Sequence, residues 1–100
     1  MIMTGKNNLI QNYITMKINF DSVKVYTDLD KKQSVTQNMR KEFANFIYTQ
    51  GSGIAAHALA MKIYNGNADT EYDEMEVGII RTFVDNCTPC VIDAFNEMLK

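Results

Sequence analysis

One hundred residues, 46% of them hydrophobic and 22% charged, fit one globular domain and exclude both a disordered chain and a two-domain protein. No apolar run approaches the roughly 20 residues needed to span a bilayer, so no membrane role is expected. The net charge of −2 is unevenly divided: residues 1–65 carry eight Lys/Arg against four Asp/Glu, and residues 66–100 two against eight. The basic residues do not cluster as a nucleic-acid track requires, so nucleic acid is not the expected partner. The asymmetry suits a protein contact, with a second copy or with another protein.

In chain order, residues 1–15 read as an N-terminal arm or extension, and "MKINF" at Met16 reads as a second start. The arm has an apolar stripe (Leu9, Ile10, Tyr13, Ile14) behind a turn-like "GKNN". It lacks the continuous apolar core and small-residue cleavage site of a signal peptide. Two cysteines without an export signal then suggest a reducing, cytoplasmic setting, in which the glycosylation sequon at Asn86 is a chance match.

From Lys17 to Tyr26 apolar residues recur every second position, with Ile18 and Phe20 before a phase slip at Asp21–Ser22 and Val23 and Val25 after it. That pattern predicts strand, bend, strand. "DLDKK" (28–32) is a turn, and "QSV" can return as a short strand, giving a hairpin too small to stand alone. Ser34 with Gln37 fits a capping box for a helix whose apolar face carries Met39, Phe43, Phe46 and Ile47 and runs to Gln50. Gly51 stops it and Ser52 can cap the next. Residues 53–64, "GIAAHALAMKIY", are apolar on nearly every side and predict a central, buried helix. Asp73 with Glu76 caps a third helix, whose inner stripe is Val77, Ile80, Phe83 or Val84, and Cys87. Thr88 as cap and Pro89 as first residue open a fourth, with Ile92, Phe95, Met98 and Leu99 inward. The fold class is therefore α+β: a short N-terminal β-hairpin packed on a bundle of three to four helices, in one domain over residues 16–100.

Three patterns invite chemistry. Cys87 and Cys90 stand in a C-x-P-C spacing, and a thiol in the first turn of a helix is biased toward thiolate. A thioredoxin-like site needs a strand leading into the first cysteine, whereas here a helix leads in. The preferred reading is a helix joint with two small apolar residues; a thiol–disulfide redox pair is the alternative, and a zinc site lacks ligands. Residues 65–76, "NGNADTEYDEME", place Asn65, Asn67, Asp69, Glu71, Asp73 and Glu76 at the oxygen positions of a calcium loop. Thr70 replaces the glycine that such a loop needs, and Asn65 and Tyr72 also depart from the pattern. A polar turn before an acidic helix start is preferred, with small-ligand or calcium binding as an alternative. Gly51-Ser52-Gly53 lacks the lysine of a phosphate loop, His57 has no partner in sequence, and Glu74, Glu76 and Asp85 form no evident acid–base couple. No catalytic residue, metal ligand or cofactor is assigned, and no enzyme activity is expected.

Tyr13, Tyr26, Tyr48 and Tyr72 are the candidate interface residues, since tyrosine anchors protein contacts, and seven methionines suit an adaptable surface. "MKINF", "ALAMKIYNGN" from Ala58, and the late "EMEVGII" and "CTPCVI" stretches together resemble small uncharacterised proteins of bacteriophages and prophages, over residues 16–100. That resemblance implies no activity. It implies a setting in which small proteins act by binding a host or viral protein, as defence-system inhibitors or assembly accessories, with homo-oligomers among the expected forms.

Overall fold

The computed structural model describes residues 15–100; the arm, with Tyr13, lies outside the described residues except for Thr15. Strand β1 (Thr15–Lys17) leads to β2 (Val23–Tyr26), and β3 (Ser34–Gln37) returns beside it. Helices α1 (Arg40–Gln50) and α2 (Gly53–Tyr64) form a helical hairpin, followed by β4 (Glu71–Asp73), α3 (Glu74–Val84) and α4 (Pro89–Met98). The α+β class expected from the sequence is the one observed, with four helices among the described residues.

The phase slip is a turn over Phe20–Ser22. Asn19 holds it, accepting from Asp21 N–H through Oδ1 at 3.0 Å and from Ser22 N–H through its carbonyl at 3.3 Å. The turn rotates the chain so that Ile18, Phe20, Val23 and Val25 all face inward and are buried. Strands β2 and β3 pair antiparallel, Val23 opposite Gln37 and Val25 opposite Val35. Ser34 and Gln37 are thus strand residues and not a capping box. The β-branched Val35 and Thr36 favour the ladder, and the helix begins later, after Met39, without a side-chain cap. A second sheet has no local signature: β1 pairs with β4, setting Met16 opposite Tyr72.

The core is built on rings. Phe20 lies 5.4 Å from Phe43, 5.8 Å from Tyr72 and 5.9 Å from Phe95, and Phe43 stacks on Phe95 at 5.2 Å. These four residues come from the β1–β2 turn, α1, β4 and α4, so one cluster joins both sheets to two helices. Gly51 lets α1 turn into α2: a Cβ there would stand 2.6 Å from the Ile47 carbonyl oxygen and 2.8 Å from Ala56 Cβ. Gly53, at φ +86°, takes the left-handed backbone that other residues resist.

Helix α2 departs from expectation. Ala56, Leu59, Ala60 and Ile63 are buried, but the described residues do not cover its opposite side, and Ile54 is 88% exposed. Among the described residues no further element packs on that side, as a domain this small buries only part of its surface.

Helix α3 starts as the sequence predicts. Asp73 Oδ1 accepts from Glu76 N–H at 2.8 Å, and Glu76 Oε1 accepts from Asp73 N–H at 2.9 Å. Asp73→Ala removes one half of this reciprocal cap and should cost about 1 kcal/mol, lowering the thermal midpoint by about 4–8 °C in a circular-dichroism melt. An unchanged midpoint would mean that packing alone sets the start of α3.

The uneven charge is partly matched within the chain. Lys17–Asp69 (3.7 Å), Lys31–Glu97 (3.8 Å) and Lys62–Glu76 (2.8 Å) each join the basic and acidic portions. Lys17 and Asp69 are mostly exposed, so that pair orients more than it stabilises. Arg40 differs from these. It is 6% exposed, holds Asp21 through two hydrogen bonds at 2.8 and 3.0 Å, and donates to the Ile63 carbonyl at 3.0 Å near the end of α2.

Candidate functional site

The outer side of the α1–α2 hairpin carries a groove of about 420 Å³, within the size range of ligand and side-chain pockets. Ala44 of α1 and Ala60 of α2 are the small residues in its lining; Tyr48, His57, Met61 and Tyr64 are the large ones. Helical spacing puts them there. On α2, His57, Ala60, Met61 and Tyr64 recur at three- and four-residue steps beside the buried stripe, and Ala44 and Tyr48 are one turn apart on α1. The His57 ring sits 5.9 Å from that of Tyr48, and Lys41 Nζ sits 5.8 Å from the Tyr64 ring centroid. Tyr48 is 60% exposed and Tyr64 44%. Both rings are thus presented at the surface and steadied from the side.

Of the tyrosines singled out in the sequence, only Tyr48 lines this groove. Tyr26 is half-buried: its hydroxyl donates to Glu97 Oε1 at 2.9 Å, and Lys24 and Lys31 lie 5.3 and 5.4 Å from its ring centroid. The Glu97 carboxylate raises its phenol pKa, and the ring ties β2 to α4. Tyr72 is a correction. It is fully buried in the ring cluster, because β1 pairs with β4 and turns the residue inward, so the folded domain offers no Tyr72 surface to a partner. Its hydroxyl has no hydrogen-bond partner among the described residues; burial raises its pKa, with the nearby Arg40 charge opposing. Tyr64, another tyrosine of the sequence able to anchor a contact, also lines the groove, in helical step with His57 and Met61.

The two cysteines sit at the α3–α4 joint as free thiols. Cys87 is half-buried, its Sγ donates to the Phe83 carbonyl at 3.5 Å, and burial raises its pKa. That shift opposes thiolate formation. Cys90 is exposed in the first turn of α4, with Sγ 3.5 Å from Thr88 Oγ1. Thr88 and Pro89 take the expected cap and first-turn positions, though the Thr88 side chain makes no capping bond.

In the 65–76 segment the oxygen donors hold the chain to itself. Asn67 Oδ1 accepts from Asp69 N–H at 2.8 Å, Glu71 Oε1 from the Thr15 hydroxyl at 2.7 Å, and Asp73 and Glu76 form the cap of α3. Residues 71–73 are extended in β4 and do not wrap a common centre. Among the described residues, no cluster of three or more His, Cys, Asp or Glu is placed to hold a metal ion, and no helix is long and apolar enough to cross a membrane.

No protein-family model, curated protein or solved structure matches this chain.

Proposed function

We propose that the chain is a small non-enzymatic interaction protein that binds a host or viral protein through the α1–α2 groove. The observation that carries this reading is the pair of exposed tyrosines, Tyr48 and Tyr64, both lining a groove that contains Ala44 and Ala60. Tyrosine combines a large apolar ring with a polar tip and recurs among the residues that dominate binding energy. The small alanines leave room for a partner side chain between the rings, and Asn45 and Asn65 also line the groove, where they can bond a partner backbone. The resemblance to phage and prophage proteins supplies the setting, with inhibition of a host defence system or assistance in virion assembly as the two versions.

The test is affinity capture from a bacterial lysate, followed by titration calorimetry with the captured protein made pure. Tyr48→Ala and Tyr64→Ala should each weaken that complex about 30-fold if each ring contributes about 2 kcal/mol, while leaving the thermal midpoint nearly unchanged. Full affinity in the double variant would place the binding surface elsewhere.

A further inference from the structure

The α1–α2 groove has a polarity that its two tyrosines do not explain. The helices form a hairpin, so each ring stands beside a nitrogen base of the other helix. The Lys41 ammonium of α1 lies 5.8 Å from the Tyr64 ring centroid of α2, and the His57 ring of α2 lies 5.9 Å from the Tyr48 ring of α1. Lys41 and Tyr48 are seven residues apart on α1, so the two bases mark groove ends about 10 Å apart. No lining residue is acidic. Glu42, next to Lys41 in the chain, is turned about 100° round the helix. Of the three Lys and Arg residues on these helices, Arg40 and Lys62 are held by Asp21 and Glu76, each at 2.8 Å. Lys41 is exposed and joins no ion pair among the described residues. Residues 1–14 contain no Asp or Glu that could supply one.

We propose that the occupant of this groove is an acidic peptide segment of the partner protein, with a large apolar side chain between the rings and carboxylates toward both ends. The inference rests on the groove reading above and adds the chemistry of what the groove takes. Ala44 and Ala60 leave the space between Tyr48 and Tyr64 that an apolar side chain fills. At one end a carboxylate meets the Lys41 ammonium, and no existing ion pair has to break for it to do so. At the other end a carboxylate can accept from His57, whose imidazole keeps one ring N–H in either neutral tautomer. A cationic segment is selected against. Two tyrosine faces would attract it, but Lys41 would meet it with like charge. An uncharged apolar segment, residues 1–14 of this chain included, would leave Lys41 with no opposite charge. Asn45 and Asn65 suit all three occupants, so the selection lies with Lys41 and His57.

Fluorescence anisotropy tests it, with a dye-labelled peptide in which several Glu flank a central Leu, titrated with the full chain at about 150 mM salt. The Glu peptide should bind. The same peptide with Gln at every Glu should bind at least about 5-fold more weakly, and its Lys counterpart more weakly still. Lys41→Glu should weaken the Glu peptide about 10-fold, and Tyr48→Ala should remove most of its binding. Lys32→Glu makes the same charge change in the β2–β3 loop and should leave affinity within about 2-fold, since salt screens a distant charge. Both lysines are exposed, so the two variants should keep the helical circular-dichroism spectrum. A Glu peptide that does not bind overturns the proposal, as does equal binding of the Gln or Lys peptide, or an equal loss in Lys41→Glu and Lys32→Glu. If the acidic preference fails while Tyr48→Ala still weakens the captured complex, the occupant is wrong and the groove reading stands. If Tyr48→Ala changes neither, the groove is not the binding surface and both fail.

Discussion

Phe20→Ala is expected to lower the unfolding free energy by about 3–5 kcal/mol, the usual cost of deleting a fully buried phenylalanine. A domain of this size has a total of roughly 5–15 kcal/mol, so the variant should lose a third or more of a mid-range margin. The site cannot collapse to recover the loss. Phe20 is 0% exposed, and its neighbours Phe43, Tyr72 and Phe95 are fixed by three separate elements. Removing the ring also deprives Arg40 of the face over which its guanidinium lies, at 5.8 Å from the centroid. Urea denaturation monitored by circular dichroism reads the effect. A loss below about 1 kcal/mol would mean that the ring cluster is not the centre of the core.

Arg40→Ala should cost about 1–2 kcal/mol near neutral pH, because it removes a buried side chain's hydrogen bond to the Ile63 carbonyl and both of its bonds to the half-exposed Asp21. Ile63 O would keep the Gly66 N–H at 3.1 Å but lose the guanidinium, and Asp21 would lose both guanidinium bonds. The pH dependence has a definite sign. Hydrogen bonding from Arg40 holds the Asp21 carboxyl below its ordinary value of 3.8. Its contribution is therefore fully present above that value and disappears as pH falls through the depressed folded-state value. The difference between wild type and Arg40→Ala should be constant from neutral pH down to about 4 and shrink in stronger acid. Urea melts at pH 7 and at about pH 3 give both numbers. A difference that grows in acid would contradict the assignment of Asp21 as the partner.

The elements that were legible in the sequence are those coded by neighbours in the chain. The slip at Asp21–Ser22, the Asp73–Glu76 box and the Thr88–Pro89 joint each lie within a few residues, and each appears where its side-chain chemistry places it. The Ser34–Gln37 misreading shows the limit. The same four residues satisfy a capping spacing and a strand, and only Val23–Tyr26 opposite them decides. Strand β4 was invisible because three residues carry little periodicity and their partner, Met16 to Tyr72, is 56 residues away. Arg40 at a helix start reads as a solvent residue until folding brings Asp21 and Ile63 to it. For α2 the sequence predicts a central, buried helix, whereas among the described residues the face of Ile54, Ala58 and Met61 is exposed. The groove was half visible: Tyr48 stood out as an aromatic anchor, but its alignment with Tyr64 requires the turn at Gly51.

The central claim, that the α1–α2 groove is a protein-binding surface, is tested most directly by placing a photo-crosslinking side chain at Tyr48 and, as a control, at Asp30 in the β2–β3 loop, in bacterial cells expressing the chain. The account predicts a discrete adduct from position 48, identifiable as one protein by mass spectrometry, lost when Tyr64→Ala is added and absent from position 30. Identical products from both positions, or an adduct at 48 that survives Tyr64→Ala, would contradict it.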